Sequence, residues 1–381
     1  MSGHAEGAPR PWRGWCCLLL LLTAGLTAGE GKGGAGTARI DWCSTVIGAR
    51  VGGAEITDAD LPGRVVLLIQ GGLGQDAAWN TFMVRTTREF VDAAPAGAVV
   101  PLFMVDDAKA NLAAWSAAGG SPLVAFIERK HLHIPGFIWC GAPRFVLIDA
   151  DGVVISDMIV DGRDLAGNSR YQSRGILMKP DDVRRTAEGG PGPMVPPGSW
   201  NVCRAEATAL TAAAVTGTPL APVLKSLRER SKGPDKAEAQ RLLDGVRQHL
   251  ARQLAVAERH RAAGDPLVQA RVVKRLQTQL GNDELAKPLD ALAKTLAGDK
   301  ALQAELKAAE DLSLVLRTAA EIDWGVGDPD RARPGERITA VRNGLQTVIK
   351  RHPKSLAARR AEAQKVVWDA WVAKAIDPLP W

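Results

Sequence analysis

The stretch from Leu61 to Val91 constrains this chain more than any other. Val65 to Ile69 is an unbroken aliphatic run of strand length, with Pro62-Gly63 before it and Gly71-Gly72 after it. Such a run, apolar at every position rather than at alternate ones, predicts a strand buried on both faces. A glycine-containing loop follows. Then Trp79, Phe82, Met83, Thr86, Phe90 and Val91 recur at the spacing of one apolar helix side. Two further apolar runs, Ala98 to Asp106 and Arg144 to Asp149, predict strands of the same sheet. The expected result is a central mixed sheet with helices on both faces.

Strand, tight loop and helix in this order, after the lead-in Ile47-Gly48, Ile56 and Leu61-Pro62-Gly63-Arg64, resemble the first unit of thioredoxin-like domains. The similarity is to the redoxin branch, which holds exported thiol–disulfide oxidoreductases and alkyl-hydroperoxide-reductase-type peroxidases. Gly141-Ala142-Pro143-Arg144 opening a strand is the second marker, since these domains carry a cis proline there, facing the redox loop. The resemblance implies a cis Ala142–Pro143 bond, with Pro143 against the Gly74–Ala78 loop and the Arg144 strand antiparallel beside Val65–Ile69. The branch's C-x-x-C cysteines fall on Gln75 and Ala78, so Gln75, Asp76, Ala77 and Ala78 form a degenerate redox loop. Neither residue can supply the thiolate that a helix N-terminus activates, or the thiol that resolves a mixed disulfide. Asp76 is read as the helix cap, with acid–base work as the alternative. Thr81 is the only local hydroxyl for a peroxidase.

Five cysteines are present, and no pair has C-x-x-C spacing. Cys16 and Cys17 lie in the N-terminal apolar run. Cys140, three residues before Pro143, is the single candidate for thiol chemistry; it is equally readable as a small apolar residue or a partner for Cys43 or Cys203. Cys43 and Cys203 lie near the two edges of the domain, where a disulfide would staple the N-terminal lead to the inter-domain connection. His131 and His133 alternate along an extended segment without a third metal ligand nearby, and Asp149-Ala150-Asp151-Gly152 reads as a turn rather than a calcium loop. No metal or cofactor is expected.

The first 29 residues, with Arg10, Arg13, the Leu18–Leu22 run and small residues to Gly29, have the signal-peptide pattern; an uncleaved anchor is the alternative. Residues 30–39 are a Gly-rich linker, 40–187 the thioredoxin-like domain and 188–200 a Pro/Gly linker. Residues 201–381 turn to Ala, Leu, Arg, Lys, Glu and Gln, and predict an all-α domain of helical hairpins, each helix stopped by Gly or Pro. That region carries a net charge of about +8 and the rest is slightly acidic, but no basic run is long enough to suggest nucleic acid. Trp368 and Trp371, three apart, share a helix face suited to core packing or an interdomain contact.

Two functional readings follow. The first is an exported protein without redox chemistry that binds proteins or extended peptide segments, or acts as a scaffold, in the periplasm or cell envelope or after secretion, touching a membrane only through an uncleaved N-terminus. The second is a thiol-dependent oxidoreductase or peroxidase working through Cys140.

Overall fold

The computed structural model describes residues 39–48, 51–74, 76–128, 131–134, 143–160, 173–176, 178–320 and 334–376. Strands β1 (Val46–Ile47) and β2 (Val51–Gly53) precede β3 (Val65–Gln70), helix α1 (Ala77–Asp92), β4 (Val99–Val105), α2 (Ala108–Ala117) and β5 (Ala125–Glu128). Then come β6 (Leu132–His133), β7 (Arg144–Ile148), β8 (Val154–Val160), β9 (Ser173–Ile176) and α3 (Pro180–Gly189). The helical region comprises α4 (Arg204–Thr216), α5 (Ala221–Arg230), α6 (Lys236–Ala262), α7 (Pro266–Leu280), α8 (Lys287–Gly298), α9 (Lys300–Ala320), α10 (Pro334–Arg351) and α11 (Leu356–Ile376).

A seven-stranded mixed sheet runs β2-β5-β4-β3-β7-β8-β9, and β1 pairs with β6 in a separate ribbon. β3, β4 and β5 are parallel, and β7 lies antiparallel beside β3 with Leu68 opposite Val146. Val65 to Ile69 have no exposed surface, as a strand covered on both faces requires. Val65, Leu67 and Ile69 pack on Phe82, Met83 and Phe90 of α1, Trp115 of α2 and Val183 of α3.

Helices on both faces were the expectation, and helices do reach both: α1, α2 and α3 on one face and Val215 of α4 on the other. The crossovers β3–α1–β4 and β4–α2–β5 step the same way across the sheet, so right-handedness sets both helices on one face. The other face, with Val66, Leu68 and Leu102, is covered by the N-terminal segment through Ile40, Trp42, Ile47, Ile56 and Leu61. Val215 of α4 packs into that face directly, and further helices form the next layer: α9 packs on β1, β6 and Trp42–Ser44, and α7 on Asp58–Asp60.

The C-terminal region is all helical. Successive helices pack as antiparallel neighbours, α6 on α7 and α10 on α11 among them. Gly264 ends α6 at φ 87°, and Pro266 opens α7, as the sequence predicts. Helix α4 was not foreseen: its buried stripe of Ala207, Leu210, Ala213 and Ala214 is mostly alanine and gives little apolar contrast.

The 188–200 stretch is not a solvated linker. Gly190, Pro191, Gly192 and Met194 are buried, and Met194 enters the helical core. The cores also interleave. Val256 of α6 belongs to the sheet's α1 face and Val215 of α4 to the opposite face. Cys43 joins the helical core, and Val46 joins the cluster formed by α9, α10 and α11.

Candidate functional site

Gly72, Leu73 and Gly74, after β3, are tied down by hydrogen bonds to side chains of α1 and α2. Leu73 N–H donates to Asn111 Oδ1, and Gly74 N–H donates to Asn80 Oδ1 at 3.1 Å. Asn80 Nδ2 returns a bond to Gly74 O at 2.9 Å, and Trp79 Nε1 donates to Gly72 O at 2.8 Å. Asp76 is the N-cap: Oδ1 accepts from Ala78 N at 2.9 Å and Trp79 N at 3.3 Å. The amides that would lower a thiol pKa are thus occupied by a carboxylate, whose charge suits the positive helix end. Ala77 and Ala78 bring no reactive group, and Gln75 lies outside the described residues. Thr81 Oγ1 donates to Ala77 O at 2.8 Å, which ties it to the helix backbone. Asp76→Ala should lower stability by about 1 kcal/mol, read as a shift of the urea midpoint.

Asn111 does not cap the second helix. The cap lies four residues earlier at Asp107, whose carboxylate accepts from Ala110 N at 2.9 Å. Asn111 is buried within the helix, free to accept from Leu73.

Pro143 flanks the lead-in to this loop. A β-carbon placed on Gly71 would lie 3.7 Å from Pro143 Cα and Cβ. No cis peptide bond occurs among the described residues, and the Ala142–Pro143 bond begins at a residue outside them. Cys140 also lies outside them. Arg144, next in the chain and 4% exposed, pairs with Asp157 through Nε to Oδ1 at 2.6 Å and through a second guanidinium contact.

Cys43 and Cys203, considered above as a disulfide, are both buried free thiols. Burial pushes the Cys43 thiol up to about 12, against the smaller opposing pull of Arg271 and Arg360. Burial and then Glu206 raise Cys203. Neither thiol is poised as a nucleophile. Cys43 converges with Asp41 and Asp265 to within 4.8 Å, a grouping with metal-ligand chemistry. The geometry commits it otherwise. Arg360 bridges the carboxylates, Nε to Asp41 Oδ2 at 2.5 Å and NH2 to Asp265 Oδ2 at 2.6 Å. Asp41 also accepts from Cys43 N and Ser44 Oγ. The cluster is an ion-paired clasp fastening α11 to the N-terminal segment.

His131 Nε2 lies 3.4 Å from Glu128, and burial pushes His133 down to about 4 while a bond to Gln364 pulls it back up. Asp149 Oδ1 accepts from Asp151 N at 2.9 Å and Val153 N at 2.8 Å, with Gly152 at φ 84°, so the D-x-D-G string is a turn. Trp368 is buried in the cluster with α9 and α10; the side chain of Trp371 lies outside the described set.

The sequence reading missed a buried polar relay between the sheet and the helices. Arg275 NH1 donates to Asp60 O at 2.9 Å and Pro62 O at 3.1 Å, and NH2 to Gln253 Oε1 at 2.7 Å. Gln253 faces His249 Nε2 at 3.4 Å, and His249 Nδ1 faces Gly192 O at 2.9 Å. Arg64 donates to Ala214 O. Burial lowers Arg64 to about 10 and Arg275 to about 9. One signal was present: in α6 the buried stripe Leu242, Val246, His249, Gln253, Val256, His260 keeps helical spacing but carries three polar residues.

No protein-family model matches this chain, and no curated protein or solved structure matches it either. No helix among the described residues is long and apolar enough to cross a membrane.

Proposed function

We propose that the chain is an exported protein built on a redoxin-type, thioredoxin-like domain that has lost its dithiol chemistry and now binds or scaffolds proteins in the cell envelope. The observation that carries this reading is the Asp76 carboxylate on the Ala78 and Trp79 amides, in the seat that a redox thiolate would need. Supporting it is β7 antiparallel beside β3, the arrangement that the resemblance implies; Pro143 lies at Gly71, just before the Gly74–Ala78 loop that the resemblance would have it face. The N-terminal charge and hydropathy pattern supports export.

Two measurements test it. The full chain should reduce neither insulin disulfides nor hydroperoxides; turnover that disappears in Cys140→Ser would establish the one-cysteine enzyme instead. The double variant Gln75→Cys/Ala78→Cys should close an intramolecular disulfide under mild oxidation, detected by mass after thiol alkylation. Failure of that pair to bridge in a folded variant would overturn the alignment behind the fold reading.

A further inference from the structure

A second surface lies at the far end of α1, roughly 22 Å along the helix from the Asp76 cap. The loop after α1, residues 121–123, the segment Val195–Trp200 and one side of α4 border an open cleft of about 880 Å³. This size suits a small ligand or short peptide. Its walls are largely apolar, with Pro95, Pro122, Pro196, Pro197 and Trp200 prominent.

The cleft has a direction. Arg204, Thr208 and Thr211 line it along α4, and Arg204 and Thr211 are about 10 Å apart on the helix. The 92–97 loop meets the Thr211 end: a β-carbon on Gly97 would lie 3.0 Å from Ala214 Cβ and 3.2 Å from Thr211 O. One wall is fixed before any ligand arrives. Glu238 accepts from the amides of Asn201, Val202 and Cys203 at 3.2, 3.0 and 3.0 Å. Arg241 lies 4.6 Å over the Trp200 ring and donates to Pro197 O at 3.3 Å. A preorganised aromatic wall avoids the ordering cost of binding.

Four charged residues line the cleft, Asp92, Arg184, Glu188 and Arg204. Arg184 is spent on Asp181 and Glu188, both at 2.6 Å. Arg204 enters no ion pair among the described residues and opens the α4 end of the cleft. Asp92, also in the lining and also outside any ion pair among the described residues, disfavours a second negative charge. Proline walls carry no N–H, so they offer surface rather than a strand ladder. We propose that this cleft binds the C-terminal end of an apolar peptide, with its free carboxylate on Arg204 and its last three residues along α4. Three extended residues span about 10 Å, the distance from Arg204 to Thr211. The ligand class is that of the proposed function, but the surface is separate from Pro143, so failure of either leaves the other's test intact.

The experiment is fluorescence anisotropy of the full chain with fluorescein-Gly-Ala-Pro-Leu as free acid and as C-terminal amide. The acid should bind saturably and the amide about tenfold or more weaker, as loss of a charge-assisted contact requires. Arg204→Met should level the two, and Thr208→Trp, an exposed position that fills the groove, should abolish both. Circular dichroism confirms that each variant is folded. Equal binding of acid and amide, binding that survives Thr208→Trp, or no saturable binding would overturn the proposal. So would dodecanoate binding tighter than the peptide with the same Arg204 dependence, which would make the occupant an acyl chain.

Discussion

Arg275→Met is expected to destabilise the protein by about 2–5 kcal/mol, the cost of leaving buried carbonyls without their donor. Arg275 is 6% exposed and serves the carbonyls of Asp60 and Pro62 at the turn that feeds the central strand. Methionine fills much of the same volume but donates nothing. Each carbonyl left dry costs about 1–3 kcal/mol. Some of that returns, because Arg64 and Arg275 are two buried cations near each other, and each guanidinium suffers from burial. The urea midpoint should fall with an unchanged m-value, since one cooperative unit remains.

The same geometry predicts that the two regions do not fold apart. Gly63, at φ 75°, sits where a β-carbon would touch Val256 and Val272 at 3.4 Å, so the turn before β3 is moulded against α6 and α7. A chain ending at residue 200 would expose both sheet-face clusters where Val215 and Val256 now close them. It would also leave Arg64 without its Ala214 acceptor. The truncated chain should therefore lack near-ultraviolet circular dichroism and unfold without a cooperative transition. A cooperative transition in residues 39–200 alone would show that the domains are independent.

Much of the architecture was legible because it rests on local contrast. Val65–Ile69 is apolar at every position and emerges as the most enclosed strand. Helices α6 to α11 begin and end close to their Gly, Pro and Asp punctuation. Asp76 was legible as a cap because capping is a contact with the next turn. What escaped depends on atoms distant in sequence. Asn111 bonds Leu73, Gly192 meets His249, and Arg275 meets Asp60. The Pro/Gly stretch 188–200 reads as a linker locally, yet it is buried in part by helices that come fifty residues later. The Cys43–Cys203 pairing rested on position along the chain, and the structure places both thiols free within one apolar cluster.

Acid should unfold this protein well before its carboxylates titrate fully, and His249 is the reason. Its ring is 3% exposed. Gln253 turns Oε1 to Arg275, so its NH2 faces His249 Nε2, which must accept; Nδ1–H then donates to Gly192 O. Only the neutral ring satisfies this relay. Burial, with Arg64, Arg275 and Arg252 nearby, pushes its pKa down to about 3 from 6.5. The depressed folded value means that the unfolded chain binds a proton the folded chain refuses. The stabilisation is complete above pH 6.5 and is lost as pH falls from 6.5 through 3. The slope is about 1.4 kcal/mol per pH unit, or roughly 2–3 kcal/mol between pH 6.5 and 4.5. His133 is depressed in the same direction, to about 4, and its contribution is lost over the same pH range. His249→Asn keeps an amide donor at the Nδ1 position for Gly192 and removes the titration, so its urea midpoint should vary less between pH 6.5 and 4.5 by the equivalent of about one proton. Parallel pH profiles for the two proteins would show that the ring already protonates in the folded state and that the relay does not hold it neutral.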